Sequence, residues 1–168
     1  MRQVIASLFL LAVLGPLSSC ISPPDYPDEP VIEYIRLSKT TVVQGNAVED
    51  TLEVFFSFTD GDGDLSFPRG TLDSSDIFFR DSRNDFVYAQ TLPEIPQENV
   101  ANGISGEISV KVPNQFSIIC CIPPNGAPPC TANDLFPTDT FFYYITIRDR
   151  AGNYSNEIQT DSIVVLCN

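Results

Sequence analysis

The chain has 168 residues, with 22 acidic side chains against 9 basic ones and neither histidine nor tryptophan. That charge balance argues against nucleic acid and anionic lipid surfaces as partners, because the long-range field repels phosphate. The missing histidine removes the commonest general base and a common transition-metal ligand, so zinc sites, serine-histidine triads and cysteine-histidine dyads lose their usual partner.

Arg2 supplies a short positive start, and Val4 to Leu17 is almost wholly apolar. A spanning helix needs about twenty apolar residues, so this run has the length of a signal-peptide core instead. Gly15-Pro16 breaks it, and the segment closes Leu17-Ser18-Ser19-Cys20. This resembles the bacterial lipobox, in which an aliphatic residue and two small residues precede the cysteine that becomes the lipidated N-terminus. The resemblance implies that residues 1–19 are removed, and that Cys20 carries a diacylglyceryl group and an N-linked acyl chain such as palmitate. Two or more chains make a lasting anchor, where one would hold only reversibly. Ile21 stands where a retention aspartate would mark the inner membrane, so the resemblance implies delivery to the cell outer membrane, facing the periplasm or the surface. Residues 20–30 are rich in proline and carboxylate, and such composition favours an extended, semi-rigid spacer. Removal of Arg2 leaves 8 basic residues against 22 acidic, a mature charge of −14. The remaining 31–168 is sized for one domain with a core of its own.

Strand patterns follow in order. Val31–Leu37 mixes apolar and charged residues at roughly strand spacing, and Thr41-Val42-Val43 comes next. Leu52, Val54, Phe56 and Phe58 share one face of a period-two run. Asp76–Arg80 and Asp85–Gln90 flank the polar turn Asp81-Ser82-Arg83-Asn84, and Ile108, Val110 and Val112 alternate with polar residues in 104–112. Phe141, Tyr143, Ile145 and Ile147 line one face of 141–147, and 158–166 closes the chain. About seven short strands with frequent turn signals predict an all-β antiparallel sandwich, with a small barrel as second choice.

Lipidation of Cys20 leaves Cys120, Cys121, Cys130 and Cys167. An even count in an exported chain predicts disulfides. Adjacent Cys120 and Cys121 are too close to bond each other, so one of them joins Cys130 and the other Cys167. Four thiolates around a zinc ion are the rival reading, but the pattern lacks paired CxxC knuckles.

Two segments carry a family resemblance. Phe56-Ser57-Phe58-Thr59-Asp60-Gly61-Asp62-Gly63-Asp64-Leu65 looks like a recurring feature of Ig-like lipoproteins in the Bacteroidota. Tyr144 to Asn156, with Asp149-Arg150-Ala151-Gly152-Asn153-Tyr154-Ser155, is similar to the last hairpin of bacterial Ig-like and fibronectin-type modules. The resemblance implies an Ig-like sandwich and an envelope location, and brings no activity with it. The cysteine loop at 120–130 is no standard part of such a module.

Asp60, Asp62 and Asp64, with glycines between them, carry the one constellation suited to site chemistry. Turn chemistry alone accounts for these residues. The second reading is a loop that folds around calcium, a hard cation taking six to eight oxygens. It is not an EF-hand, since Leu65 replaces the turn glycine and Thr71 the bidentate glutamate. In an Ig-like frame Asp149, Asn153 and Glu157 would approach from the other loop at the same end. Phe55, Phe78, Phe79, Phe86, Tyr88, Phe142 and Tyr144 have two readings, as core and cross-strand pairs or as an exposed stacking strip. Nucleophile elbows, phosphate loops and dinucleotide fingerprints are absent from the sequence. The expected role is therefore noncatalytic: a lipid-anchored binding or scaffolding module for an envelope protein or glycan. The alternative is a carbohydrate-binding or hydrolase-accessory lipoprotein.

Overall fold

The computed structural model describes residues 25–45, 50–67, 75–95, 103–115 and 118–167. The signal segment 1–19, Cys20 and Thr71 lie outside the described residues. Ten strands are present: β1 (Val31–Leu37), β2 (Thr41–Val43), β3 (Leu52–Asp60), β4 (Ile77–Asp81), β5 (Val87–Gln90), β6 (Ile104–Val112), β7 (Thr138–Phe141), β8 (Tyr143–Ile147), β9 (Ile158–Gln159) and β10 (Ile163–Leu166). No helix occurs among the described residues, so the all-β expectation holds.

The strands form three hydrogen-bonded sheets, ordered β1-β3-β6, β2-β10-β7 and β5-β4-β8-β9. All pairings are antiparallel except β2 with β10. The second and third sheets share one pair of chain segments. Only Phe142 separates β7 from β8, and residues 160–162 separate β9 from β10. Thr160 bridges the gap: its N–H donates to the Tyr143 carbonyl at 3.0 Å, and its hydroxyl accepts the Tyr143 N–H at 3.0 Å. The two uninterrupted runs expected at 141–147 and 158–166 are thus each broken once, where a side-chain hydroxyl replaces a ladder carbonyl.

Period-two patterning explains which faces are buried. In β3 the side chains Leu52, Val54, Phe56 and Phe58 point into the core, opposite Val112, Val110, Ile108 and Gly106 of β6. A Cβ on Gly106 would lie 3.2 Å from the Phe58 ring, so the glycine makes room for it. β1 keeps Ile32 and Leu37 inward despite an odd spacing, because a bulge between Tyr34 and Arg36 sets Ile35 aside, exposed. From the other sheets Ile77, Phe79, Phe141, Tyr143, Ile145, Ile147, Ile163 and Val165 enter the same core cluster. Each fully buried Phe or Ile contributes about 1.5–3 kcal/mol relative to exposure.

The inward rows do not stop at the last apolar residue. In β3 the sequence Leu52, Val54, Phe56, Phe58 runs on to Asp60, which is wholly buried. In β8 the row Tyr143, Ile145, Ile147 runs on to Asp149, also wholly buried, and in β4 Ile77 and Phe79 are followed by Asp81. Three apolar rows therefore end in a carboxylate pointing inward. Because β4 and β8 are antiparallel, with Asp81 opposite Tyr143 and Ile77 opposite Ile147, Asp81 and Asp149 mark opposite ends of that pair.

Candidate functional site

The end of β3 is held by backbone contacts that only glycine allows. The Gly61 N–H donates to the Pro27 carbonyl at 2.8 Å, and a Cβ at Gly61 would fall 2.4 Å from the Tyr26 carbonyl oxygen. The part of the 20–30 spacer from Tyr26 onward therefore lies against the domain instead of standing free. Gly63 turns the loop with φ 68°, in the left-handed region that favours glycine. Leu65 then returns to the core, fully buried, and its N–H donates to Asp60 Oδ2 at 3.2 Å.

The facing loop follows β8. Asp149 Oδ1 accepts the N–H groups of Gly152 at 2.6 Å and Asn153 at 2.7 Å, while its Oδ2 accepts Asn153 Nδ2 at 2.8 Å. Gly152 supplies the turn with φ 97°. Arg150 joins the loops: its N–H donates to Asp64 Oδ1 at 3.3 Å, and its Nε to the Asp64 carbonyl at 2.7 Å.

Together these turns bring Asp60, Asp62, Asp64 and Asp149 into one cluster, with one carboxylate oxygen of each within 4.8 Å of the others. Asp60 Oδ1 and Asp62 Oδ1 are buried and accept no hydrogen bond. Among the described residues no lysine or arginine forms an ion pair with any of the four. At such separations the like charges repel one another, and burial of the oxygens leaves that repulsion less screened than on an open surface. The chemistry follows that repulsion. Burial first, then the charge on Asp62, raises Asp60 to about 6, against the opposing Leu65 N–H. Asp64 is raised too, by burial and then by Asp149 and Asp62. The donor set is all oxygen, which suits a hard cation and not a thiophilic metal.

Of the six residues expected here, four converge. Asn153 stands behind them, and its amide nitrogen orients Asp149. Glu157 is a correction: it lies apart, its Oε2 2.9 Å from Arg80 Nη2 in an exposed pair. The outward-facing Arg80 of β4, which stacks on the Tyr144 ring at 4.1 Å, takes it instead.

At the opposite end of the β4–β8 pair the cysteines form two disulfides, Cys120–Cys130 with Cα atoms 4.8 Å apart and Cys121–Cys167 with 5.7 Å. With every sulfur of the four so bonded, no thiolate remains for zinc. Sequence reasoning missed the group that binds this end together. Arg83, mostly buried, places Nη2 2.5 Å from Asp81 Oδ2 and Nη1 2.5 Å from Asp139 Oδ2. Its Nη1 also donates to the Cys120 carbonyl at 2.9 Å, and its guanidinium lies 4.1 Å over the Phe141 ring. Burial works against the charge, but the bonds to Asp81 and Asp139 outweigh it and raise Arg83 above its ordinary value. Asp139 Oδ2 also accepts the Ile122 N–H at 2.8 Å, so the disulfide loop hangs on the same carboxylate.

The aromatic residues do not form one strip. Phe79 is core, Phe55 lies under Arg36 at 3.6 Å, Phe78 meets Tyr154 at 5.9 Å, and Phe142 meets Tyr144 at 5.1 Å. Phe86 is 45% exposed. Among the described residues no helix is long and apolar enough to cross a membrane. No protein-family model, curated protein or solved structure matches this chain.

Proposed function

We propose that this chain is a cell-envelope lipoprotein, cut before Cys20 and tethered by lipid to the outer membrane, whose single Ig-like domain serves as a noncatalytic binding or scaffolding module. The observation that carries the reading is the apolar run of Val4 to Leu17 closed by Leu17-Ser18-Ser19-Cys20. The two disulfides support it, since such bonds persist in oxidising compartments outside the cytosol.

The strand pairings support an Ig-like sandwich. One layer would be β1-β3-β6, and the other β5-β4, then β8 with β7, then β9 with β10, then β2 alongside β10 in parallel. Side chains of both sets meet in one core, as two packed layers require. The loops after β3 and β8 would then correspond to the two that share an end in that architecture.

Metabolic labelling with a fatty acid tests the anchor. The wild-type protein incorporates label, and Cys20→Ala gives an unlabelled soluble or signal-retaining protein. Label persisting in the variant removes the lipoprotein reading. A glycan array tests the module, because reproducible sugar binding would replace scaffolding with carbohydrate recognition.

A further inference from the structure

We propose that Asp60, Asp62, Asp64 and Asp149 form a calcium site that fastens the loop after β3 to the loop after β8. Clustered carboxylates alone are ordinary on a protein surface, and the weight falls on where these oxygens are. Asp60 is wholly buried at the end of an apolar row, and its Oδ1 has no hydrogen-bond partner within the cluster. Asp62 Oδ1 is likewise buried and unpartnered. A buried carboxylate oxygen without a donor is costly, and proteins normally pair such atoms. Several neighbouring donors are already committed elsewhere: the Leu65 N–H goes to Asp60 Oδ2, Gly152 and Asn153 bond Asp149, and Arg150 Nε is turned to the Asp64 carbonyl. What the open oxygens need is a cation.

Size and donor type select the ion. Calcium–oxygen distances of about 2.3–2.6 Å let ligands on opposite sides of one ion stand roughly 4.6–5.2 Å apart. The four oxygens lie within 4.8 Å of one another, inside the span that the shell of one calcium ion covers. Magnesium binds at about 2.0–2.1 Å, prefers a strict octahedron and keeps much of its water, so it usually takes only one or two carboxylates. Four carboxylates leave the rest of a calcium shell to carbonyl or water oxygens. With no histidine in the chain and the four domain cysteines in disulfides, softer metals lack their usual ligands.

The loop geometry suits a fastening role. One ligand in each loop is the inward terminus of a core row, Asp60 from β3 and Asp149 after β8, so the ion would clamp elements from two sheets. A ligand that binds only the folded state stabilises it in proportion to the logarithm of its concentration over the dissociation constant.

The test uses the full-length protein purified in detergent, stripped with a chelator and melted over a series of calcium or magnesium concentrations at matched ionic strength. Calcium is expected to raise Tm progressively and magnesium much less. Asp62→Asn is the decisive variant, because Asp62 accepts no hydrogen bond through its buried oxygen, so the substitution is expected to leave the metal-free fold intact. It is expected to weaken calcium binding at least tenfold, read by calorimetric titration with calcium alone, while its chelator-stripped Tm equals or exceeds that of the wild type. Glu157→Gln, outside the cluster, should leave the calcium shift unchanged. Equal responses to both ions, or a full calcium shift in Asp62→Asn, would overturn the site. Failure there leaves the lipid anchor untouched, since labelling at Cys20 reads that separately.

Discussion

The two ends of the β4–β8 pair solve the same electrostatic problem with different means. At one end the buried Asp81, together with Asp139, meets a guanidinium supplied by the chain itself. At the other, Asp60, Asp62, Asp64 and Asp149 meet hydrogen-bond donors, and the nearby Arg150 guanidinium bonds the Asp64 carbonyl without forming an ion pair to any of the four carboxylates among the described residues. Disulfides reinforce the end that already carries its counter-charge, and glycine-rich turns shape the end that does not. The difference teaches that a carboxylate closing an apolar row can be neutralised permanently from within, or left for a species from outside. Only the second arrangement makes stability respond to the medium.

That contrast can be broken experimentally. The largest effect is expected at Arg83. Arg83→Ala strands Asp81 and Asp139 and should cost about 3–5 kcal/mol, the range for removing one partner of a buried ion pair. Urea unfolding with and without calcium checks it, and the loss should be the same in both. Next is the longer cystine. Replacing Cys121 and Cys167 together by serine frees a loop with a sequence separation of 46 and should cost about 4 kcal/mol by chain entropy, against about 3 kcal/mol for the separation of 10 between Cys120 and Cys130. Thermal melts of the two double variants rank them, and a reversed order would mean the shorter bond acts through local packing.

Smaller effects probe the acidic end. Gly61→Ala drives a methyl group against the Tyr26 and Pro27 carbonyls and should cost about 1–3 kcal/mol. It should also open the segment before Val31 to limited proteolysis, detectable by mass spectrometry of the first cut. The smallest expected change is Asp62→Asn in chelator, a gain of about 0.5 kcal/mol from relieved like-charge repulsion. A loss instead would show that Asp62 holds the turn through a bond of its own.

Much of this fold is legible in the order of the amino acids. Alternation places Leu52 to Phe58, Ile108 to Val112 and Phe141 to Ile147 on strands, because a half-buried strand must show a period of two. That Cys120 and Cys121 each seek a distant partner follows from the poor geometry of a bond between neighbours, while the choice of Cys130 for Cys120 and Cys167 for Cys121 depends on the fold. The same alternation continues through Asp60, Asp81 and Asp149, yet aspartate after a strand also signals a turn, and the turn reading hides three inward carboxylates. Arg83 reads as one residue of a polar turn, since nothing local announces Asp139 as its partner 56 residues away. Glu157 misleads for a related reason. It precedes the short strand β9, whose register on β8 sets Gln159 opposite Tyr144, and Tyr144 in turn lies opposite Arg80. The break at Phe142 and the bulge at Ile35 depend on partner strands, which sequence periodicity does not specify.

The bond from Gly61 to Pro27 also fixes where the chain leaves the domain. From Cys20 to Tyr26 is six residues, which even fully extended reach only about 22 Å. A lipid on Cys20 would therefore hold the acidic tip within that radius of the headgroups, like a buoy on a short mooring. There the counterion atmosphere of an anionic leaflet is enriched in cations and decays over a Debye length of about 8 Å. That tether would let the loops dip into the membrane's own ionic boundary layer, while the cystine-bonded end, beyond the strands, would face bulk solution.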